Sequence, residues 1–106
     1  MSIKRVTTPL LLVLEVVIRG GGRDYWAYRL SQETGLAPGT IQPILTRLED
    51  EGWLEARWEA IDVQERGRRP RRLYRLTETG AREGATLLQA KSPTMLLREA
   101  TGGAPG

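Results

Sequence analysis

Two segments with the periodicity of β-strands flank a polar, basic segment in the C-terminal half of the chain. Residues 54–61 alternate between apolar and charged side chains, which predicts a strand with one buried face. Its inward residues are expected to be Leu54, Ala56, Trp58 and Ala60. Residues 71–76 predict the returning strand, with Tyr74 and Leu76 inward. The pattern therefore predicts a β-hairpin, and its tip, residues 62–70, is called the wing.

The predicted hairpin is strongly basic. Of the 16 lysine and arginine residues in the chain, seven lie between positions 57 and 75: Arg57, Arg66, Arg68, Arg69, Arg71, Arg72 and Arg75. Clustered guanidinium groups displace the counterions condensed on a polyanion and bind phosphate oxygens in pairs. We therefore predict nucleic-acid binding, with Arg68, Arg69 and Arg71 holding the phosphate backbone or entering the minor groove. The alternative is a solvated loop whose charge only aids solubility.

Composition limits the chemistry that the chain can perform. A length of 106 residues with 40% hydrophobic content fits one small domain with a modest core. Cys and His are both absent, which excludes a thiol nucleophile, an imidazole base and a Cys/His zinc site. An enzyme would need paired carboxylates, and the acidic run at residues 49–51 has the pattern of a helix end. We expect no enzyme activity, no metal and no cofactor.

The first predicted helix is apolar on nearly every side. Thr8 and Pro9 form a typical helix start, and the helix is expected to run to Arg19, where glycines end it. Glu15 interrupts the apolar run, which is too short to span a bilayer, and no leader cleavage site follows. We expect a buried helix in a cytoplasmic protein with no membrane partner. One small domain covers only part of such a surface, so the helix also predicts a partner subunit.

Two further helices are predicted before the hairpin. Asp24 is the expected N-cap of the second helix, residues 25–34, and Gly35 ends it. The third, residues 39–51, carries an apolar stripe with helical spacing: Ile41, Ile44, Leu45 and Leu48. The short connection after Gly35 is typical of a helix-turn-helix. The order helix, helix, helix, strand, wing, strand predicts a winged helix-turn-helix, a mainly α fold with a small β-hairpin (α+β).

The third predicted helix has a face suited to reading DNA. Opposite its apolar stripe stand polar or short side chains: Thr40, Gln42, Pro43, Thr46 and Arg47. In the major groove, glutamine suits adenine and arginine suits guanine when the side chain can bind with both prongs. Pro43 is expected to cost little if the helix cap is Gly39 or Thr40. Tyr28 on the second helix is a candidate phosphate contact. The alternatives are an ordinary solvated helix face and a partly buried tyrosine.

The C-terminal part is predicted to hold one more helix and a tail. Thr77 caps a helix from Glu78 to about Ala90. Its apolar stripe is thin: Ala81, Ala85, Leu87, Leu88 and Ala90. Ser92 and Pro93 end this helix or cap a last short turn containing Met95, Leu96 and Leu97. We expect a winged helix-turn-helix DNA-binding domain at residues 1–76, a C-terminal dimerisation helix region at 77–101 and a disordered tail at 102–106.

Three motifs resemble the PadR-type transcriptional regulators. Residues 37–49, APGTIQPILTRLE, followed by Glu51 and Gly52, are similar to that family's recognition helix. Residues 67–77, GRRPRRLYRLT, with Gly80, look like its wing and the entry to its last helix. Residues 26–30, WAYRL, are similar to its second-helix motif. The resemblance extends over about residues 10–88, and two of the three motifs are quite specific in combination.

The resemblance implies a homodimeric repressor of a nearby promoter, often released by a small effector such as a phenolic acid or a hydrophobic drug. A two-fold dimer would bind a pseudo-palindromic double-stranded operator. The chain departs from the family at Arg29, Ala37 and Gln42, where the family often has an acidic residue, Ser and Tyr, and at Pro93 in the dimerisation region. Three tryptophans could stack on an aromatic effector, although core or interface packing is their more ordinary role: Trp26, Trp53 and Trp58. No ligand residue is assigned.

Two other functions remain open for this fold. A winged helix can bind another protein through its third helix or wing, because the fold does not dictate the partner. It can also bind DNA without sequence preference in an architectural role. Binding without a sequence motif would favour the architectural role, and no DNA binding would favour the protein-interaction module.

Overall fold

The computed structural model describes residues 5–91. Within them the elements follow in this order: α1 (Thr8–Arg19), α2 (Ala27–Thr34), α3 (Pro38–Asp50), β1 (Leu54–Trp58), α4 (Val63–Arg66), β2 (Arg72–Leu76) and α5 (Glu78–Ala90). The two strands pair as an antiparallel hairpin in which Leu54 is opposite Leu76 and Trp58 is opposite Arg72. The predicted mainly α fold with one small hairpin is confirmed.

The core lies where the first three helices meet the base of the hairpin. From α1 it takes Leu10, Val13, Leu14 and Val17. From α3 it takes the whole predicted stripe: Ile41, Ile44, Leu45 and Leu48. Tyr25, Leu30, Trp53, Leu54 and Tyr74 complete it. Each apolar side chain removed from water contributes about 25 cal/mol per Å² of buried surface, so the stripe holds α3 with its opposite face toward solvent.

The first two helices begin at other residues than predicted. The N-cap of α1 is Thr7, not Thr8, because the Thr7 hydroxyl accepts a hydrogen bond from the Leu10 amide at 3.3 Å. Helix α2 begins at Ala27, so Asp24 is not its cap. The reason is that Tyr25 exchanges two backbone hydrogen bonds with Tyr74, of 2.8 and 2.7 Å. This isolated bridge places the backbone of Tyr25 beside β2, so α2 begins after it.

Helix α3 begins one residue earlier than predicted, and this changes the position of Pro43. The N-cap is Ala37 and Pro38 is the first helical residue, so Pro43 lies inside the helix. Pro43 was expected to cost the helix little stability if the N-cap were Gly39 or Thr40, and the cap is at neither residue. Pro43 has no amide to donate to the carbonyl of Gly39, and α3 loses one interior hydrogen bond at that point.

The hairpin departs from the prediction in two respects. Strand β1 ends at Trp58, so Ala60 lies beyond it, and Trp58 is 65% exposed rather than inward. The core reaches along this face only to Ala56 and Tyr74, and further out the guanidinium of Arg72 covers the Trp58 ring at 5.2 Å. The wing contains the short helix α4, which the sequence analysis missed. Asp62 caps α4 by accepting hydrogen bonds from two backbone amides.

Helix α5 begins as predicted, with the Thr77 hydroxyl accepting a hydrogen bond from the Gly80 amide at 2.9 Å. The alanine stripe was wrong in part, because Ala81 and Ala90 are exposed and the buried residues are Gly80 and Gly84. A Cβ atom on Gly80 would overlap the carbonyl oxygen of Trp53. Helix α5 therefore needs glycine at position 80 to lie this close to Trp53, while Leu87 and Leu88 pack against the core. The predictions for residues 92–106 lie outside the described residues.

None of the helices between residues 5 and 91 combines the length and the apolar character needed to cross a bilayer.

Candidate nucleic-acid interface

The exposed side of α3 carries the predicted base-reading residues and is called the recognition face: Thr40, Gln42, Pro43, Thr46 and Arg47. The first four are exposed and Arg47 is partly buried. They share one face because the buried stripe lies on the opposite side of the helix. The fold thus presents these residues together, as the helical spacing predicted.

Gln42 is held in place by the hairpin. Its Nε2 donates a hydrogen bond to the hydroxyl of Tyr74 at 3.2 Å, and Tyr74 is itself buried on β2. A glutamine amide has two N–H groups and a carbonyl oxygen, so one donor and the acceptor remain for an adenine edge. Tyr74 therefore orients the amide. Tyr74 is inward as predicted, but its contact with Gln42 was not predicted, although a buried tyrosine hydroxyl generally needs a partner.

Two other residues of the recognition face are bound to the protein itself. The Thr46 hydroxyl donates to the carbonyl of Gln42 at 3.2 Å. The Arg47 guanidinium donates to the carbonyl of Arg5 at 2.6 Å, which fixes the segment before α1 against α3. Thr40 and Pro43 are exposed, and Tyr28 on α2 is 64% exposed. Tyr28 is thus not the partly buried tyrosine of the alternative, and its contact with a phosphate stays a prediction.

Glu59, just before the wing, contacts two of the three arginines that the sequence analysis proposed for DNA binding, Arg68 and Arg71. The Arg68 guanidinium forms a two-pronged contact with its carboxylate, at 2.7 and 3.1 Å. The backbone amide of Arg71 donates to the same carboxylate at 3.2 Å. The Arg71 guanidinium lies over the indole of Trp26, 4.4 Å from the ring centroid. Arg69 is exposed and has no ion pair among the described residues.

Asp24 organises a second pair of arginines at the base of the hairpin. Arg57 donates to both of its carboxylate oxygens, at 2.9 and 2.7 Å, and Arg75 donates to one of them at 3.1 Å. The sequence analysis missed this cluster, because Asp24 is 33 and 51 positions away from these partners. Its place before a helical segment also favoured a capping role.

These contacts keep both carboxylates ionised. The Arg57 hydrogen bonds, helped by Arg75, lower the pKa of Asp24 to about 2. The Arg68 hydrogen bonds, helped by the Arg71 amide, lower the pKa of Glu59 to about 2. A hydrogen bond to the charged form of a carboxylate favours that form over the neutral one. At neutral pH both groups are therefore anions inside a basic surface.

The arginines of the hairpin fall into two groups. Five have a carboxylate partner: Arg57, Arg68, Arg71, Arg72 and Arg75. Arg66 and Arg69, both in the wing, have none among residues 5–91. The free positive charge of the hairpin is thus concentrated at its tip. Residues 5–91 contain no group of three or more acidic side chains that could hold a metal ion.

Comparison with known proteins identifies the family of the chain. The model of the transcriptional regulator PadR-like family matches residues 18–86. A PadR family transcription regulator from hypervirulent Clostridium difficile R20291 superimposes with a TM-score of 0.66 at 18% identity, over 92% of this chain and 100% of that one. A PadR family transcriptional regulator from Eggerthella lenta DSM 2243 gives a TM-score of 0.61 at 22% identity, over 90% and 81% of the two chains.

A further structure with the same fold is that of Bordetella bronchiseptica BpsR, whose DNA binding is regulated by 6-hydroxynicotinic acid. It gives a TM-score of 0.68 at 16% identity, over 97% of this chain and 66% of that one. The curated proteins give no significant match. The structural likenesses show the fold, and the family match extends over well over half of the chain, from the end of α1 into α5. The chain belongs to the PadR-like family of transcriptional regulators, and it is a DNA-binding regulator rather than an enzyme.

Proposed function

We propose that the chain is a repressor that binds a pseudo-palindromic operator in double-stranded DNA as a homodimer. The observation that carries this proposal is the recognition face, a cluster of exposed polar side chains on a helix that is firmly anchored by its other side. Such a helix fits the major groove of B-DNA, where base edges can be distinguished. The basic wing beside it supplies the attraction to phosphates that sequence-independent affinity requires.

The proposed complex has separate parts for reading and for holding. The N-terminal half of α3 enters the major groove, with Gln42 at a base edge and its neighbours at bases or phosphates. Arg69 reaches the phosphate backbone first, since it is exposed and carries no ion pair among the described residues. Arg68 and Arg71 follow if phosphate displaces Glu59. Tyr28 donates its hydroxyl to a phosphate. The base contacts specify the sequence, and the phosphate contacts position the protein on the duplex.

Dimerisation is supported by the apolar residues that the described part of the chain leaves partly exposed. On α1 these include Leu12, Val16 and Ile18, and on α5 they include Leu87 and Leu88. A two-fold dimer would place its two recognition helices about one turn of DNA apart, ~10–10.5 base pairs, or a multiple of it. Sedimentation velocity at micromolar concentration tests this. A dimer is expected, and monomer alone would contradict the proposal.

Sequence-specific binding is tested by selection from a randomised duplex library, repeated at low and at near-physiological salt. The proposal predicts a recovered motif with two-fold symmetry that persists at the higher salt. Weak binding without a motif that disappears as salt rises would contradict it and favour an architectural DNA binder. No binding at either salt would favour a protein-interaction module. A reporter gene behind the recovered motif then tests repression, with higher expression expected when the regulator is deleted.

Release by a small aromatic or hydrophobic effector is the last part of the proposal. It is supported by the family membership and by BpsR, a protein of the same fold that responds to 6-hydroxynicotinic acid. The test titrates this compound and simple phenolic acids into the complex with a fluorescently labelled operator. A fall in anisotropy together with a change in tryptophan fluorescence is expected for an effector. Unchanged anisotropy with every compound would remove aromatic acids from the proposal.

A further inference from the structure

Glu59 is surrounded by positively charged neighbours and is itself largely covered. Its carboxylate accepts two hydrogen bonds from the Arg68 fork and one from the Arg71 amide. The Glu59 side chain is 19% exposed and the Arg68 side chain is 32% exposed. The fork of Arg68, the part of the side chain that would grip a phosphate, is therefore occupied by a carboxylate in the free protein.

We infer that Glu59 limits sequence-independent DNA binding by holding the Arg68 fork away from random phosphates, and thereby raises the preference of the protein for its operator. This inference rests on the proposed function, because it assigns a role to Glu59 in sequence-specific DNA binding. Glu59 acts through Arg68 and is a positioning residue rather than a DNA contact.

The Glu59 carboxylate and a DNA phosphate compete for the Arg68 guanidinium. Carboxylate and phosphate both bind the guanidinium fork of arginine with two parallel hydrogen bonds. Arg68 can therefore form this two-pronged contact with only one of them at a time. Exchange of Glu59 for a phosphate also leaves the carboxylate without its Arg68 partner near the DNA, where it repels other phosphates. The cost applies to every duplex, because every duplex presents the same backbone.

Random DNA and operator DNA differ in the contacts that supply their affinity. Affinity for random DNA comes almost wholly from phosphate contacts, whereas operator affinity also includes base contacts. The recognition face makes no contact with Glu59 among the described hydrogen bonds, since Gln42 is held by Tyr74 instead. On random DNA, an Arg68 released from Glu59 can bind phosphates in many registers of the protein on the duplex. In the operator complex the base contacts fix one register, so Arg68 can bind only the phosphates within reach there. Neutralising Glu59 therefore strengthens random binding more than operator binding.

The position of Glu59 distinguishes it from the other acidic partners of the hairpin. Asp24 binds Arg57 and Arg75 at the base of the hairpin, away from the wing. Glu49 is 3.7 Å from Arg72, a longer contact without a fork. Glu59 alone among these three binds an arginine that lies within the wing.

The experiment compares Glu59→Gln with Glu55→Gln. Glu55 lies on β1, the strand that ends just before Glu59. It is exposed and has no ion pair among the described residues, so the control makes the same change in net charge without opening the fork. Binding to random duplex and to the selected operator is measured between ~50 and ~200 mM salt, a range that resolves the phosphate contribution. Thermal unfolding confirms that both variants are folded at the assay temperature.

For Glu59→Gln we expect random duplex to bind roughly three- to tenfold tighter, with the slope of log K against log salt steeper by about one unit. The ratio of operator to random affinity should fall. Glu55→Gln should change these values much less. Glu59→Asp provides a second variant, because its shorter side chain keeps the charge but withdraws it from the fork, and a smaller change in the same direction is expected.

Arg68→Gln completes the test as a double-mutant cycle. If Glu59 restrains Arg68, Arg68→Gln should remove more random-DNA affinity in the Glu59→Gln background than in the wild type. The inference is overturned if Glu59→Gln binds random duplex no tighter than Glu55→Gln, or if the gain survives Arg68→Gln. A wild-type protein with no operator preference would instead overturn the proposed function, so the two failures can be told apart.

Discussion

At the scale of single residues, the side chains proposed to touch DNA differ in how firmly the protein holds them. Gln42 is oriented by a hydrogen bond from its Nε2 to a buried tyrosine hydroxyl. Arg69 is exposed and has no ion pair among the described residues. An oriented amide suits base reading, which depends on the direction of each hydrogen bond, whereas a free guanidinium suits the backbone, where phosphates recur along the groove. The difference leads to opposite expectations for the two residues.

Replacing Gln42 should affect one base pair. Gln42→Ala removes the amide that would read an adenine edge, and we expect a loss of about 1–3 kcal/mol at that position with little change on random DNA. Tyr74→Phe removes only the hydroxyl that orients the amide, so a smaller loss at the same base pair is expected. Selection and competition binding with each variant measure the change. An unaltered motif for Gln42→Ala would show that this residue does not read a base.

Replacing Arg69 should affect all duplexes alike. Arg69→Ala removes one phosphate contact, so affinity should fall to a similar degree for operator and random DNA, and the salt slope should decrease by about one unit. Arg82→Ala is the matched control, because Arg82 is also exposed but lies on α5, which packs against α1. Equal salt slopes for Arg69→Ala and the wild type would rule out the proposed wing contact.

At the scale of elements, the docking of α5 depends on glycines. Gly80 and Gly84 are buried, and a Cβ atom at Gly84 would lie 2.9 Å from the Cδ1 atom of Ile18 on α1. At Gly80 the obstacle is the backbone carbonyl of Trp53, which cannot move aside as a flexible side chain can. The small size of these two residues therefore allows α5 to lie close to α1 and to Trp53, the residue before β1.

This arrangement predicts a large effect of one methyl group. Gly80→Ala should lower the free energy of unfolding by about 1–3 kcal/mol, because α5 must shift to make room. Gly39→Ala is the control, since it is also a helical glycine but has nothing within 4 Å of the added atom, and it should be neutral or stabilising by about 0.4–1 kcal/mol. Urea denaturation at neutral pH measures both. Equal stability of Gly80→Ala and wild type would contradict the close packing of α5.

The elements that the sequence predicted well are those with a strong local signal. The stripe of Ile41, Ile44, Leu45 and Leu48 specified the buried side of α3 and hence its exposed side. The Thr77 cap and the start of α5 were also predicted, because a capping hydroxyl acts on the amide three residues later.

The elements that were missed depend on distant contacts or on features without a local signal. Tyr25 pairs with Tyr74 at a distance of 49 positions, which no local pattern shows. The alternating pattern of the strand placed Trp58 inward, but such a pattern does not show how far along the strand the core extends, and Trp58 is exposed. The buried glycines of α5, Gly80 and Gly84, carry no apolar side chain that a hydrophobic pattern could detect. The same limit explains why the recognition face was predicted whereas the carboxylate partners of the arginines were not.

At the scale of the whole molecule, Asp24 connects the segment before α2 to both strands of the hairpin. It binds Arg57 on β1 and Arg75 on β2, and the neighbouring Tyr25 pairs with Tyr74. The hairpin is thus tied to the helical part of the domain by ion pairs as well as by the core. Because the recognition face and the wing belong to these two parts, this connection fixes their relative position.

The Asp24 connection should make stability depend on acid. The pKa of Asp24 is lowered from 3.8 to about 2, so its contribution is fully present above pH 3.8 and is lost as the pH falls through about 2. Asp24→Asn should cost about 1 kcal/mol at neutral pH, as partly exposed ion pairs do, and the difference from wild type should shrink over that window. Asp50→Asn, an exposed carboxylate without an ion pair among the described residues, should change stability less. Urea denaturation between neutral pH and about pH 2 tests this, and a constant difference would contradict it.

The central claim is that the recognition face of α3 reads DNA while the wing holds the backbone. A crystal structure of the protein bound to its selected operator tests it most directly. The account predicts a two-fold dimer with α3 of each subunit in the major groove, the Gln42 amide at a base edge and the Arg69 guanidinium on a phosphate. A complex in which the recognition face points away from the duplex would contradict the account, whatever the affinity.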